Sequence, residues 1–595
     1  MKILFKKYTA FFLLFLFGIV FSYAQPGVIA KSSATSVLPV LLNNEHGIIP
    51  LKSLNTRKIA LLNLRADTSF SVWLGKYANI RPFNSLTDTA ALADLDESLK
   101  FFNTLVISLD ASQLNSSLIH FIRMKAVGSA VIVAAFGPLD QLALLDEVSV
   151  PIIWCSTDTN AGSLETAEII FGGIAAQSRL AKTVSHRYLA GGGFSTQKTR
   201  IGYGVPKDVG INGSKLTSRI DAIAEEAIKG KAAPGCVVMV VKNGVVIFEK
   251  AYGYHTYGHD RLTRTDDLFD LASVTKITVT TPTIMRLTEQ GRVDLNKTMG
   301  YYLLQAQHTN KNNVILRNVM LHEAGFTPFI PFYNDLKPED HRSDSSAAYP
   351  VKVADRYYLR KDYYEKIMWP AMLQSPITPP GKYVYSDLSM YVMKEVAEHQ
   401  TSIPIQQYIQ EEFYKPLGMK TAGYLPLRRF PKDRIVPTED DKTFRGSLLQ
   451  GYVHDQGAAM AGGIAGHAGN FATANDLAIY AQLLLNRGTY GGESYFKPET
   501  VDLFTSRQSA TSRRGLGFDR WDPDPAKEYP SKLASPATYG HTGYTGTCIW
   551  IDPQNQLTYI FLSNRVNPDV SPFLSKLNIR PRIEDAIYEA IKEGL

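Results

Sequence analysis

Apolar positions fall in two different rhythms along this chain. Between residues 59 and 156, short continuous apolar runs at 59–64, 105–109, 130–135 and 151–155 alternate with stretches at 90–102, 117–127 and 139–148 that carry apolar residues at helical spacing. Runs of strand length separated by amphipathic helices predict a largely parallel sheet with helices on its faces. An α/β sandwich over residues 37–185 is the expectation. Ligands of such domains sit at the carboxyl ends of the strands. The sequence there offers no phosphate loop and no paired carboxylates: Asp110 and Asp158 follow strands, where a carboxylate commonly caps a helix or forms a turn.

Periodicity is lost over residues 186–211, which hold Gly191, Gly192, Gly193, Gly202, Gly204 and Pro206 and read as a linker. The second rhythm covers residues 212–595. It opens with an amphipathic stretch at 216–228 that ends near Gly230, then two strands at 237–241 and 245–249 around Asn243-Gly244, a strong hairpin signal. A second hairpin at 547–552 and 557–563 and a closing helix at 579–591 mirror it at the far end. Strands from both ends predict one antiparallel sheet flanked by helices, with a large helical insertion, an α+β fold.

A chain of 595 residues is too long for one core, and 45% hydrophobic with 20% charged residues is ordinary globular composition. The start departs from this. Lys2, Lys6 and Lys7 precede an apolar run at 10–21 and then Ser22-Tyr23-Ala24, the pattern of a signal peptide cut after Ala24. The run is short for a membrane span, and no cysteine follows it to carry a lipid. A periplasmic or secreted protein with no membrane span after cleavage is expected. Losing three lysines from a formal +7 leaves about +4 with no long basic run, so no nucleic-acid partner is expected. Cys155, Cys236 and Cys548 are too few and too scattered for a disulfide scaffold, although one pair could bridge. No His or Cys cluster has metal-ligand spacing, and neither a metal nor a cofactor is expected.

The chemistry gathers around residues 269–280, FDLASVTKITVT. Ser273 and Lys276 are spaced to share one helix face, where an amine reaches the serine oxygen. Alone, such a pair is as well read as a capping serine beside a solvated lysine. Further on, Tyr385-Ser386-Asp387 follows Pro380-Gly381, and Gly540-His541-Thr542-Gly543 precedes the strand near Thr547. Each motif is ordinary by itself. The order S-x-x-K, Y-x-[ND], H-x-G inside a two-hairpin frame points to acyl transfer to a serine.

With these motifs, residues 212–595 resemble the group of penicillin-recognising serine hydrolases that holds class C β-lactamases, D-alanyl-D-alanine carboxypeptidases and esterases. The phrases at 321–326, LHEAGF, and 462–469, GGIAGHAG, agree. The resemblance implies Ser273 as nucleophile, Lys276 as aid to its deprotonation and Tyr385 as the proton path to the leaving group. It puts the oxyanion in the N–H groups of Ser273 and Tyr544, places Asp387, His541, Thr542, Gly543 and Tyr544 along the substrate, and makes His322 and His467 structural.

Two departures bear on activity. His541 stands where most β-lactamases carry lysine, and a histidine loses most of its charge above about 6.5, which weakens a carboxylate clamp and disfavours penicillin hydrolysis. Asp387 stands where the family usually has asparagine. Beside Lys276 it is either protonated, or it keeps the lysine positive and leaves Tyr385 as the base.

Residues 37–185 resemble the carboxyl-terminal α/β domain of family 3 glycoside hydrolases, in LLNNE at 41–45, IIPL at 48–51, IFGG at 170–173 and SRL at 178–180. That family's nucleophile sits in a preceding barrel, for which there is no room here between the signal peptide and Val37. The expected protein is therefore a serine hydrolase with an accessory domain, acting on a small ester or a peptidoglycan-derived D-alanyl peptide. The alternatives are a catalytically silent cell-wall or glycan-binding protein, in which Asp387 marks decay, and a glycosidase, which lacks the carboxylates it needs.

Overall fold

The computed structural model describes residues 38–84 and 95–595. The predicted signal peptide and the first part of the helix expected at 90–102 lie outside the described residues. Strands β1 (Val40–Leu42), β2 (Ile59–Asn63), β3 (Ile80–Asn84), β4 (Thr104–Asp110), β5 (Ala130–Phe136) and β6 (Ile152–Cys155) form one sheet in the order β1-β6-β5-β4-β2-β3. All pairings among β2 to β6 are parallel, and β1 joins antiparallel to β6. The four apolar runs are β2, β4, β5 and β6. Helices α1 (Ser69–Tyr77), α2 (Ser116–Ala126) and α3 (Asn160–Phe171) connect the strands. The expected helix at 139–148 is a 3₁₀ segment, Leu139–Leu145, entered directly from Pro138, and short connectors of this kind wind tighter than an α-helix.

The glycine-rich stretch at 186–211 is not a free tether. Arg200 is buried and donates to the carbonyls of Leu51 at 2.8 Å and Phe171 at 2.6 Å. Strand β7 (Gly202–Tyr203) then adds in parallel to an edge of a second sheet. Gly202 is required there, because a Cβ would come within 2.8 Å of the Gly173 carbonyl. Its lack of periodicity hid this role, since two residues suffice for an edge strand.

The second sheet contains β8 (Gly235–Lys242), β9 (Val245–Gly253), β10 (Asp519–Arg520), β11 (Tyr539–Thr542), β12 (Cys548–Asp552) and β13 (Leu557–Ser563), in the order β10-β11-β12-β13-β8-β9-β7. Every pair except β7·β9 is antiparallel. Asn243 and Gly244 turn the first hairpin with φ of 53° and 70°, the two positive values of a type I′ turn. Helices α4 (Gly213–Lys229) and α8 (Ile579–Glu593) cover one face through Leu216, Ile220, Ile583 and Ile587. The insertion supplies α5 (Thr281–Glu289), α6 (Leu388–Thr401) and α7 (Ala474–Leu485), the last of which lies on the opposite face.

One apolar core runs without a break from Leu41, Phe136 and Phe171 through Tyr77 and Tyr203 to Val237, Ile277 and Leu477. Tyr77 stacks on Phe171 at 4.9 Å and donates to the Ile201 carbonyl at 2.9 Å, while Tyr203 donates to Asn475 on α7 at 2.5 Å. The α/β layer is thereby packed behind the sheet that carries the motifs. All three cysteines are buried and free, so none of them bridges. Among the described residues no helix is long and apolar enough to cross a membrane.

Candidate active site

The segment ahead of Ser273 is pinned from two sides. Phe269–Asp270 pairs with Phe471–Ala472, and the buried Asp270 carboxylate accepts from Ala272 N at 2.9 Å and His454 N at 2.7 Å. Ala272 is held at φ 44°, a left-handed conformation costly for a residue with a Cβ, and Ser273 follows directly. Ser273 is only half-buried, unlike its neighbours. The chain then enters a π-helical segment, Lys276–Thr280, that continues into α5. This stretch is buried, and two of its threonines bond back one turn, Thr278 to the Val274 carbonyl and Thr283 to that of Val279.

Lys276 is the charged group in that buried stretch. Its Nζ donates to Ser273 Oγ at 2.8 Å, to Asp387 Oδ1 at 2.7 Å and to the His467 carbonyl at 3.5 Å, and lies 4.9 Å from the centre of the Tyr385 ring. Burial works against its charge, but the Asp387 carboxylate and then Tyr385 outweigh it and raise the pKa above the ordinary lysine value. The geometry is that of an ion pair, the second of the two alternatives for Asp387.

Tyr385 sits on the loop before α6, and His322 is the shelf beneath it. The His322 carbonyl accepts from Val384 N at 2.9 Å, its Nδ1 accepts from Ser386 N at 3.3 Å, and its ring lies 4.7 Å from that of Tyr385. Ser386 Oγ and Asp387 N bond to the carbonyls of Thr327 and Pro328. Burial, then Arg514 and Lys276, push the His322 pKa well below the ordinary histidine value, so the ring is neutral.

On the opposite wall, β11 ends in His541 and Thr542. His541 Nδ1 donates to the Thr542 carbonyl at 2.7 Å, which leaves Nε2 as an acceptor facing Arg514 Nη2 at 3.5 Å. Burial first, then Arg514 and Lys276, push its pKa down to about 3. The weak carboxylate clamp expected of a histidine is weaker still here, since the imidazole is neutral throughout the physiological range.

The cation on that wall is Arg514, which sequence reading missed. It is buried, with its guanidinium 5.6 Å from the rings of both Tyr383 and Tyr385 and 3.4 Å from Asp519, and its Nε has no hydrogen-bond partner among the described residues. Asp519 is in turn held by Arg513 at 2.7 Å and Tyr529 at 2.7 Å. In sequence Arg513-Arg514 is only a basic pair in a polar loop; its sole signal was lying upstream of the H-x-G motif.

Gly543 brings the two walls together. A Cβ there would meet Thr547 Oγ1 at 2.1 Å and the Leu271 carbonyl at 2.5 Å, so only glycine admits this approach. Thr545 and Thr547 stitch the contact by donating to the carbonyls of Asp270 at 2.7 Å and Leu271 at 3.1 Å. The N–H groups of Ser273 and Tyr544 have no protein acceptor among the described residues, whereas those of Val274, Thr275, Gly543 and Gly546 close their turns. The exposed Tyr544 ring stacks on His454 at 5.1 Å, and Arg565 Nε donates to the Tyr544 carbonyl at 2.6 Å, fixing the peptide.

The structure thus gathers Ser273, Lys276, Tyr385, Asp387, His541, Thr542, Gly543 and Tyr544 around one cleft. The one group of His, Cys, Asp and Glu side chains close enough to share a cation among the described residues is Asp387, Asp455 and His467. Lys276 already supplies positive charge there, through Asp387.

A half-exposed serine bonded to a buried lysine, two unspent N–H groups and a sheet built from strands at 202–253 and 519–563 define a serine acyl-transfer enzyme. The Beta-lactamase family model matches residues 220–580, and the chain belongs to that family. It is a serine hydrolase of the penicillin-binding and β-lactamase type. A relative from Salmonella heidelberg named "Putative D-alanyl-D-alanine carboxypeptidase" is 30% identical over 424 residues, 65% of this chain and 93% of its own length. Its counterpart of the same name from Salmonella typhimurium is 29% identical over the same shares. Among solved structures, the beta-lactamase/D-alanine carboxypeptidase of Pseudomonas syringae aligns with TM-score 0.47 at 15% identity, over 62% of this chain and 98% of that one.

Proposed function

We propose that this protein is an exported carboxypeptidase-like hydrolase that forms an acyl-enzyme on Ser273 from a peptide ending in D-alanine. The observation that carries this reading is Lys276 Nζ, fully buried and 2.8 Å from Ser273 Oγ. In the reaction the substrate carbonyl enters between the N–H groups of Ser273 and Tyr544. Ser273 Oγ attacks, the negative charge moves onto the carbonyl oxygen, and these fixed donors stabilise it as it forms. Lys276 remains an ammonium, so Tyr385 acts as a phenolate: it takes the Ser273 proton as the Oγ–C bond forms, and the resulting phenol gives that proton to the leaving amine as the C–N bond breaks. Water enters by the same path and releases the acyl group.

Arg514 favours a substrate with a free carboxylate. His541 is neutral, and the buried guanidinium beside it is the fixed positive charge on that wall. The relatives' name adds support for a D-alanyl peptide, and the predicted signal peptide supports action outside the cytoplasm. The α/β layer is an accessory unit that buttresses the catalytic sheet.

Turnover by the mature protein and its Ser273→Ala variant on a D-alanyl-D-alanine peptide, a short-chain nitrophenyl ester and a chromogenic cephalosporin tests this. The expected result is fastest turnover of the peptide, abolished in the variant. Equal behaviour of the two proteins on all three substrates would sink the assignment and favour a binding role.

A further inference from the structure

The segment that closes the floor of the cleft, residues 465–469, is wedged between α5 and α6. Thr280 Oγ1 donates to the Gly466 carbonyl at 2.6 Å, Tyr424 donates to that of Ala465 at 2.7 Å, and a Cβ on Gly466 would strike the Met390 carbonyl at 2.1 Å. This fixes His467, whose carbonyl lies 3.5 Å from Lys276 Nζ and whose ring packs 4.5 Å from that of Tyr391 on α6. His467 Nε2 meets Asp455 Oδ1 at 2.9 Å. The same oxygen caps the helix Gln456–Met460 by accepting from Ala458 N at 2.7 Å. One ligand atom each of Asp455, His467 and Asp387 lies within 4.8 Å of the others.

Two carboxylates are therefore crowded beside one ammonium. A carboxylate acceptor requires the proton of His467 on Nε2, so the imidazole is a donor to Asp455. Burial opposes the Asp455 charge, but the His467 contact and the Ala458 N–H hold its carboxyl below the ordinary range. Left without that donor, Asp455 would turn its charge on Asp387, and like charges in a shared site force one group to move or take up a proton.

We infer that His467 and Asp455 form a positioning dyad: by satisfying Asp455, the imidazole leaves Asp387 free to hold Lys276 against Ser273. This rests on the proposed role of Ser273. The groups that face the dyad are Asp387 and Tyr391 from α6 and its start, Lys276 and Asp270 from the nucleophile segment and the strand before it, and His454 beside Asp455.

The rate of Ser273 labelling by a fluorophosphonate, followed by mass, tests it without a natural substrate. In that step the Ser273 Oγ–P bond forms, the P–F bond breaks, fluoride leaves and the hydroxyl proton goes to Tyr385. His467→Gln, which can keep an N–H near the position of Nε2, should label within about threefold of the parent. His467→Leu should be more than tenfold slower, and adding Asp455→Asn to it should restore most of the rate. Asn still caps the helix. Equal rates for the Gln and Leu variants, or no restoration by Asp455→Asn, would overturn the dyad. Should His467→Leu not fold, Asp455→Asn is read alone. Removing one negative charge should move the rising limb of the labelling rate to lower pH, and a superimposed profile would overturn the inference. A parent protein that does not label at all would refute the nucleophile, and the dyad with it.

Discussion

Lys276 Nζ stands 2.7 Å from Asp387 Oδ1, an ion pair whose lysine is fully buried. Asparagine at this position would let burial dominate and lower the lysine pKa, so that in Asp387→Asn the neutral Lys276 amine becomes a second acceptor for the Ser273 proton and the rising limb of the pH–rate profile should move to lower pH. The stability effect has a sign as well. The raised Lys276 pKa means that the native pair stabilises the fold fully below the unfolded value of about 10.4 and is lost only as pH rises through the folded value. The variant, its lysine depressed, should instead gain stability as pH climbs from 7 toward 10. Losing one partner of a buried pair costs about 3–5 kcal/mol, an upper figure here because Asn still accepts a hydrogen bond. Urea unfolding at pH 7 and pH 9.5 would show this trend, and equal slopes for both proteins would contradict it.

Arg514→Gln separates substrate recognition from chemistry. A hydrogen bond to a charged group contributes about 1.5–3 kcal/mol, or roughly 10- to 150-fold. KM for a carboxylate-bearing peptide should rise by about that factor while kcat/KM for an uncharged nitrophenyl ester changes less than threefold. His541, neutral down to about 3, predicts no inflection near pH 6.5 in the peptide KM. Such an inflection, abolished by His541→Gln, would show instead that the imidazole takes up a charge in this range.

Gly543→Ala tests the closeness of the two walls. The added Cβ would fall 2.5 Å from the Leu271 carbonyl, a backbone atom that cannot swing away. The strand end must retreat and carry the Tyr544 N–H with it. Loss of one fixed oxyanion donor lowers rate by about 100- to 1,000-fold. That loss should appear in kcat for every substrate alike. A variant that loses rate on the peptide alone would point to the carboxylate pocket instead.

The motifs were legible because each must be read locally. Ser273 and Lys276 lie one turn apart, Gly543 is demanded by one close approach, and Asn243-Gly244 is demanded by one turn. The hairpins at both ends were equally plain, and with them the sheet. Arg514 was not legible, since its role depends on Tyr383, Tyr385 and His541 converging from segments up to 131 residues away in the chain. The depth of the His541 shift escaped for the same reason: burial and two distant cations set it. At residues 186–211, read as a linker, the want of an apolar period gave no sign that Arg200 and Tyr203 are anchored in the core.

That anchoring leads to a last expectation, about cooperativity. Two domains joined by a tether would unfold separately, each with its own core. Here Tyr77, Phe171 and Tyr203 belong to the same apolar core as Val237 and Leu477, and Arg200 ties β7 to the carbonyls of Leu51 and Phe171. Calorimetry should therefore show a single transition whose calorimetric and van't Hoff enthalpies agree. A change at the junction should lower that one transition as a whole: Tyr203→Ala removes a buried aromatic, at about 3–5 kcal/mol. It should also lower the temperature at which esterase activity is lost, although Tyr203 does not touch the cleft residues. Two resolved transitions, with only the one not coupled to activity shifted by Tyr203→Ala, would show that the layers fold independently despite the shared core.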